Sequence, residues 1–146
     1  MPVTLAAMSE QVPLQAAGVF AGCTDDELRS IAAIGEPVSF DADSAIVEEG
    51  DRGDAMYVVV EGEARVDVGG RYHVLKPGEF FGEMALIAPG KRLATVRAVT
   101  PVDALRIPAE AFQAFVIDHP HVALSMMKTL VVRLREVEQR IDAWMA

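Results

Sequence analysis

Two periodicities divide the chain. Across residues 38–107, short β-branched runs at 38–40, 45–48, 56–60, 64–68, 72–75, 94–98 and 102–107 alternate with glycine-containing turns. Many short strands at close spacing predict an antiparallel sandwich or barrel rather than a parallel sheet. In Glu63-Ala64-Arg65-Val66-Asp67-Val68 the alternation places Ala64, Val66 and Val68 on the inner face and the charges outside. Gly69-Gly70 then reads as a tight hairpin turn. From Pro108 onward the apolar spacing becomes helical. Residues 109–118 form one amphipathic helix, stopped by His119-Pro120, and a long helix follows over about 121–144. On it Ala123, Met127, Leu130, Leu134, Val137, Ile141 and Trp144 fall at alternating spacings of four and three, a heptad seam. Such a face packs either on its own β domain or on a twin helix, since an apolar stripe of this length is not left in water.

Ahead of the strands, Thr24-Asp25-Asp26-Glu27 has the form of a capping box, with Cys23 and Leu28 placed to staple the turn. The helix it opens carries Leu28, Ile31, Ala32 and Ile34 on one face, and Gly35 and Pro37 are expected to end it. Residues 1–18 are alanine-rich and weakly helical, with Pro13 as a breaker. They read either as a leading helix or as the end of a linker, and residues 19–146 as one domain.

Composition narrows the classes. A chain of 146 residues, 51% hydrophobic, is long enough for one packed core and too apolar for disorder. Acids outnumber bases 22 to 13, a net charge of -9, with no basic patch. That balance disfavours nucleic acid and anionic membrane surfaces as partners. A lone cysteine excludes an internal disulfide and a thiolate metal cluster. No apolar run reaches membrane-spanning length and no basic start marks a signal peptide, so a cytoplasmic protein is expected.

The candidate chemistry is concentrated in Phe81-Gly82-Glu83-Met84-Ala85-Leu86-Ile87-Ala88-Pro89-Gly90-Lys91-Arg92-Leu93-Ala94-Thr95. An aromatic ends an apolar segment, and a glycine lets a ligand approach the backbone. Glu83 precedes one apolar helical turn, and Arg92 leads into a strand. Free N–H groups at the start of such a turn attract an anion. A guanidinium forks onto two phosphate oxygens. A carboxylate only accepts, and so suits a hydroxyl donor such as a sugar 2′-OH. Together they imply a ligand with both a phosphate and a free hydroxyl. A surface Glu–Arg pair is the ordinary alternative; Gly82, Ala85, Ala94 and Thr95 in register around the pair favour the cradle.

Phe-Gly-Glu, an apolar residue, Ala-Leu, five residues and then Arg-x-Ala-Thr-Val resembles the phosphate-binding cassette of the cyclic nucleotide-binding domain family. That family includes catabolite-activator-type regulators, the cyclic-AMP-dependent kinase regulatory subunit and nucleotide-gated channels. Ile46-Val47, Gly50-Asp51, Gly53, Met56-Tyr57-Val58-Val59 and Gly62 are similar to its upstream glycine pattern. The resemblance implies a mainly β fold: an antiparallel jelly-roll (β-roll) with an N-terminal helix, a short cassette helix and two C-terminal helices. It implies ligand contacts from Phe81, Gly82, Glu83, Met84, Ala85, Arg92, Leu93 and Ala94, with the phosphate on Arg92 and the amides of Ala85 and Ala94. Ala64 and Val66 would line the base and sugar, and the ribose 2′-OH would bond to Glu83. Leu93 replaces the small, often hydroxyl-bearing residue usual there, which leans towards cyclic AMP over cyclic GMP. Val137 and Glu138 fall roughly where bacterial members place base contacts, and Trp144 is a further candidate for stacking on a purine.

The expected function is a regulatory module for signal transduction: cyclic AMP enters the roll and shifts the C-terminal helix, which also serves a possible homodimer. The effector would be a domain or protein beyond these residues. A degenerate module that docks or dimerises without ligand is the alternative, supported by Leu93 and Val137. An enzyme is disfavoured, since a metal-dependent jelly-roll needs clustered histidines and only His73 lies in the β region. His119 and His121 flank a proline with no nearby cysteine, so neither a metal nor a cofactor is expected.

Overall fold

The structure is a computed structural model and describes residues 20, 22–68 and 70–145. The expectations for residues 1–18, and that for the Val68 side chain, lie outside the described residues. The elements, in order, are α1 (Asp25–Ala33), β1 (Glu36–Phe40), β2 (Ala45–Val47), β3 (Arg52–Gly53), β4 (Ala55–Glu61), β5 (Ala64–Val68), β6 (Arg71–Leu75), β7 (Phe80–Phe81), α2 (Met84–Ile87), β8 (Gly90–Lys91), β9 (Thr95–Ala98), β10 (Val102–Pro108), α3 (Ala109–Asp118) and α4 (Pro120–Met145).

All the strand pairs described are antiparallel. One sheet runs β1-β10-β4-β7, a second β2-β9-β5-β6, and β3 with β8 makes a two-stranded ribbon. This is the expected β-roll. Its interior, between the two sheets, holds Ile46, Val59, Ala64, Leu75, Val96, Ala98, Val102 and Ala104. A second cluster joins the outer face of the first sheet to the helices through Phe20, Ile31, Met56, Val58, Leu105, Ile107, Phe112, Val122 and Met126. β4 feeds both clusters, its even residues one and Val59 the other. A strand covered on both faces reads as a continuous apolar run, and Met56 to Val60 is one.

α1 begins as its capping box requires. Thr24 Oγ1 accepts from the Glu27 amide at 3.2 Å, and Glu27 Oε1 accepts from the Thr24 amide at 2.8 Å. Leu28, Ile31 and Ala32 are its buried face. The second oxygen of Glu27 lies 2.7 Å from His121 Nε2, so the carboxylate that caps α1 also sits beside the first turn of α4. Burial, and then the Glu27 charge, raise the Cys23 thiol to about 11, leaving it protonated near neutrality.

The helix–strand boundary differs from expectation. Pro37 does not end the helix; it sits inside β1, opposite Leu105. β1 is an edge strand with a neighbour on one side only, where a missing N–H is tolerated. Three two-residue strands, β3, β7 and β8, were not legible as apolar runs because they arise from pairing between distant segments.

The seam on α4 is not covered by the β-roll. Val122 and Met126 are the buried residues of the helix. Leu130, Leu134, Val137, Ile141 and Trp144 are exposed, Trp144 at 88%. Among the described residues, the stripe from Leu134 onward therefore lies open rather than packed on its own roll. Only the first turns of α4 dock, on α3 and α1, before the helix runs past the domain. No helix among the described residues is long and apolar enough to cross a membrane.

Candidate functional site

The site is a cavity of about 330 Å³ between the two limbs of the segment from Phe81 to Thr95. Phe81, Gly82, Glu83, Met84 and Ala85 line it from the first limb, and Lys91, Arg92, Leu93 and Ala94 from the second. Val47, Gly53, Ala88 and Gly90 complete the wall. The fold thus brings into one hollow eight of the residues named from the sequence. Ala64 is instead fully buried in the roll interior, and Val66 packs on the same cluster. Val137, Glu138 and Trp144 lie on the exposed length of α4 and do not line the cavity.

Arg92 organises the hollow. Its backbone is held from both sides, its N–H donating to Asp51 at 2.7 Å and its carbonyl accepting from Gly50 at 2.9 Å. The side chain turns inward and donates from Nη2 to the Ala55 carbonyl at 2.8 Å. Its Cζ lies 5.9 Å from the centroid of Tyr57, a ring itself stacked on Phe81 at 5.3 Å. Burial lowers the guanidinium's affinity for its proton, while Tyr57 and Asp54 pull it back and Arg106 lowers it further. A half-buried cation with one nitrogen committed keeps the rest of its fork for an anion.

The glycines around it serve the arginine as much as any ligand. A Cβ on Gly53 would fall 2.5 Å from Arg92 Nε and 2.8 Å from Cζ. One on Gly82 would fall 2.5 Å from Nη1, at a φ of +82° that side chains rarely adopt. The guanidinium lies in a slot whose two walls must lack side chains. The ligand-approach reading of Gly82 is therefore incomplete: the close neighbour is the Arg92 fork.

One further detail differs from the sequence reading, and one residue of the segment has a separate role. The Ala85 amide, assigned to the anion, donates to the Gly82 carbonyl at 3.0 Å. Thr95 does not line the cavity; its hydroxyl accepts from the Glu49 amide at 3.0 Å and ties β9 to the loop after β2. Leu93 is 84% exposed at the rim, and Met84 is exposed opposite. Sequence reasoning missed Lys91, Tyr57 and the Ala55 carbonyl. Lys91 sits beside the arginine in the segment already singled out; the other two roles depend on where β4 crosses, which spacing does not show.

The model of the family described as "Cyclic nucleotide-binding domain" matches residues 37–119, more than half of the chain. A "Cyclic AMP receptor protein" of Thermus thermophilus is 36% identical over 103 residues, covering 66% of this chain and 48% of that protein. A "CRP-like cAMP-activated global transcriptional regulator" of Mycobacterium tuberculosis is 25% identical over 134 residues, covering 88% of this chain and 60% of that protein. The chain thus spans 48% to 60% of the length of these curated relatives. Among solved structures, the N-terminal domain of a transcriptional regulator from Streptomyces coelicolor is similar, with a TM-score of 0.77 and 30% identity. The match covers 86% of this chain and 92% of that one. The two-sheet roll, the Glu83–Arg92 hollow and the family match over 37–119 agree, and the chain belongs to the cyclic nucleotide-binding domain family.

Proposed function

We propose that this domain senses cyclic AMP, holding the cyclic phosphate on Arg92 and the ribose 2′-OH on Glu83. The observation that carries this is the half-buried Arg92 fork and the Glu83 carboxylate lining one cavity of about 330 Å³. The Ala94 amide adds to the phosphate site. The Ala85 amide joins only if it leaves the Gly82 carbonyl, so ligand engagement includes a rearrangement of the turn that opens α2. Leu93 brings no hydroxyl to the rim, which favours adenine over guanine. We read the module as regulatory, with no catalytic role and no cofactor, in a cytoplasmic setting.

Titration calorimetry with cyclic AMP and cyclic GMP tests the reading directly. Micromolar or tighter binding of cyclic AMP is expected; no heat with either ligand would leave the degenerate, docking-only module in its place. Glu83→Gln is expected to weaken cyclic AMP, because the amide still accepts the 2′-OH but loses the charge-assisted part, about 0.5–1.5 kcal/mol. Wild type should also bind 2′-deoxy cyclic AMP less well than cyclic AMP. Equal affinity for the two would remove Glu83 from the ribose.

The output runs through α4. The cassette helix α2 and α4 share an apolar groove in which Leu86 and Ile87 face Met126, Met127 and Leu130. Movement of the cassette therefore reaches the start of the seam. We assign the exposed residues Leu130, Leu134, Val137, Ile141 and Trp144 to a homodimer, with the effector a further domain or protein. Leu134→Glu is expected to yield monomers by light scattering while the β circular dichroism stays unchanged, because this side chain lies outside both core clusters. A wild type that is monomeric at micromolar concentration, with and without ligand, rules the dimer out.

A further inference from the structure

We infer that Lys91, which stands opposite Arg52 across the ribbon, is a second anion-binding residue of the site. This rests on the proposed nucleotide site and adds a residue to it.

β3 and β8 pair with Arg52 directly opposite Lys91 and Gly53 opposite Gly90. Directly opposed residues of an antiparallel pair hold their Cβ atoms about 4.5–5.5 Å apart, and like charges there are destabilising. Among the described residues no ion pair includes either Arg52 or Lys91. Yet the chain carries a net charge of -9 and has carboxylates nearby at Glu48, Glu49 and Asp51. Arg52 lines a second hollow together with Asp54 and Glu110, whereas Lys91 lines the cavity of Glu83 and Arg92.

The cavity's own charge agrees. Its ionisable lining is Glu83, Lys91 and Arg92, so two cations face one carboxylate. The surplus of one positive charge matches the single negative charge of a cyclic phosphodiester. Arg92 is the fixed member, its backbone clamped to Gly50 and Asp51 and its head on Ala55. Lys91 is the adjustable one, a point charge on a flexible stem at the exposed rim. Arg92 gives geometry, and Lys91 gives long-range attraction that salt screens.

The test pairs binding with stability, which a merely structural lysine would not separate. Lys91→Gln is expected to weaken cyclic AMP about twofold to fivefold at low ionic strength, as an exposed ion pair does, with the gap closing at about 0.5 M salt. Lys91→Glu is expected to weaken it about tenfold or more. It also places a carboxylate opposite Arg52, so the ligand-free melting temperature should hold or rise. Tighter apo packing with weaker binding supports the assignment. If wild type binds cyclic AMP and Lys91→Glu binds it within twofold, or melts lower in proportion to its lost affinity, Lys91 is not an anion ligand. If wild type binds no cyclic nucleotide, the site reading and this inference fall together.

Discussion

Arg92→Ala is expected to remove most cyclic AMP affinity, by roughly 30-fold to several thousandfold. A phosphate left in the cavity without its charged partner loses about 2–5 kcal/mol, and each 1.4 kcal/mol is tenfold. The fold should survive, because the side chain contributes one hydrogen bond, to the Ala55 carbonyl, and packs over Tyr57 without belonging to either core cluster. Calorimetry on both proteins reads the effect. A loss below about fivefold would show that the phosphate sits elsewhere.

Gly53→Ala should reproduce much of that loss without touching a charged group. The added Cβ would lie 2.5 Å from Arg92 Nε and 2.8 Å from its Cδ. These atoms are in the middle of the side chain and cannot simply swing aside. The guanidinium must leave its slot and give up Ala55, a charged-group hydrogen bond of about 1.5–3 kcal/mol. Affinity should fall about tenfold to a hundredfold. The stability cost of Gly53→Ala should be clear in wild type and nearly absent alongside Arg92→Ala, since the clash partner is then gone. Equal costs in the two backgrounds would mean that the glycine serves the ribbon rather than the arginine.

This coupling changes how the upstream glycine pattern is understood. Gly50-Asp51-x-Gly53 precedes the cassette by some thirty residues in the sequence. In the fold it is the other half of the same device: Asp51 and Gly50 clamp the Arg92 backbone, and Gly53 admits its side chain. Neither motif positions the guanidinium alone.

The sequence by itself determined what depends on local periodicity. Alternation in Ala64 to Val68, the capping box at Thr24 and Glu27, and the apolar spacing after Pro108 each follow from short-range geometry, and the elements lie where those patterns placed them. It also set the cassette chemistry, since Phe81 to Ala85 and Arg92 to Ala94 are two short runs whose residue types show without a partner. Tertiary structure decided everything that needs two distant segments. The ribbon of β3 and β8 exists only because Arg52 meets Lys91 and Gly53 meets Gly90. Pro37 belongs to a strand because β1 is an edge. The Arg92 slot, with Ala55 and Tyr57 in it, depends on where β4 crosses behind the cassette. The face of α4 that the roll leaves open was likewise undecidable from its heptads, because a stripe of leucines records that something covers it and not what. Pair contacts across some thirty-five residues or more leave no periodic trace, and it is those contacts that turn a charged segment into a site.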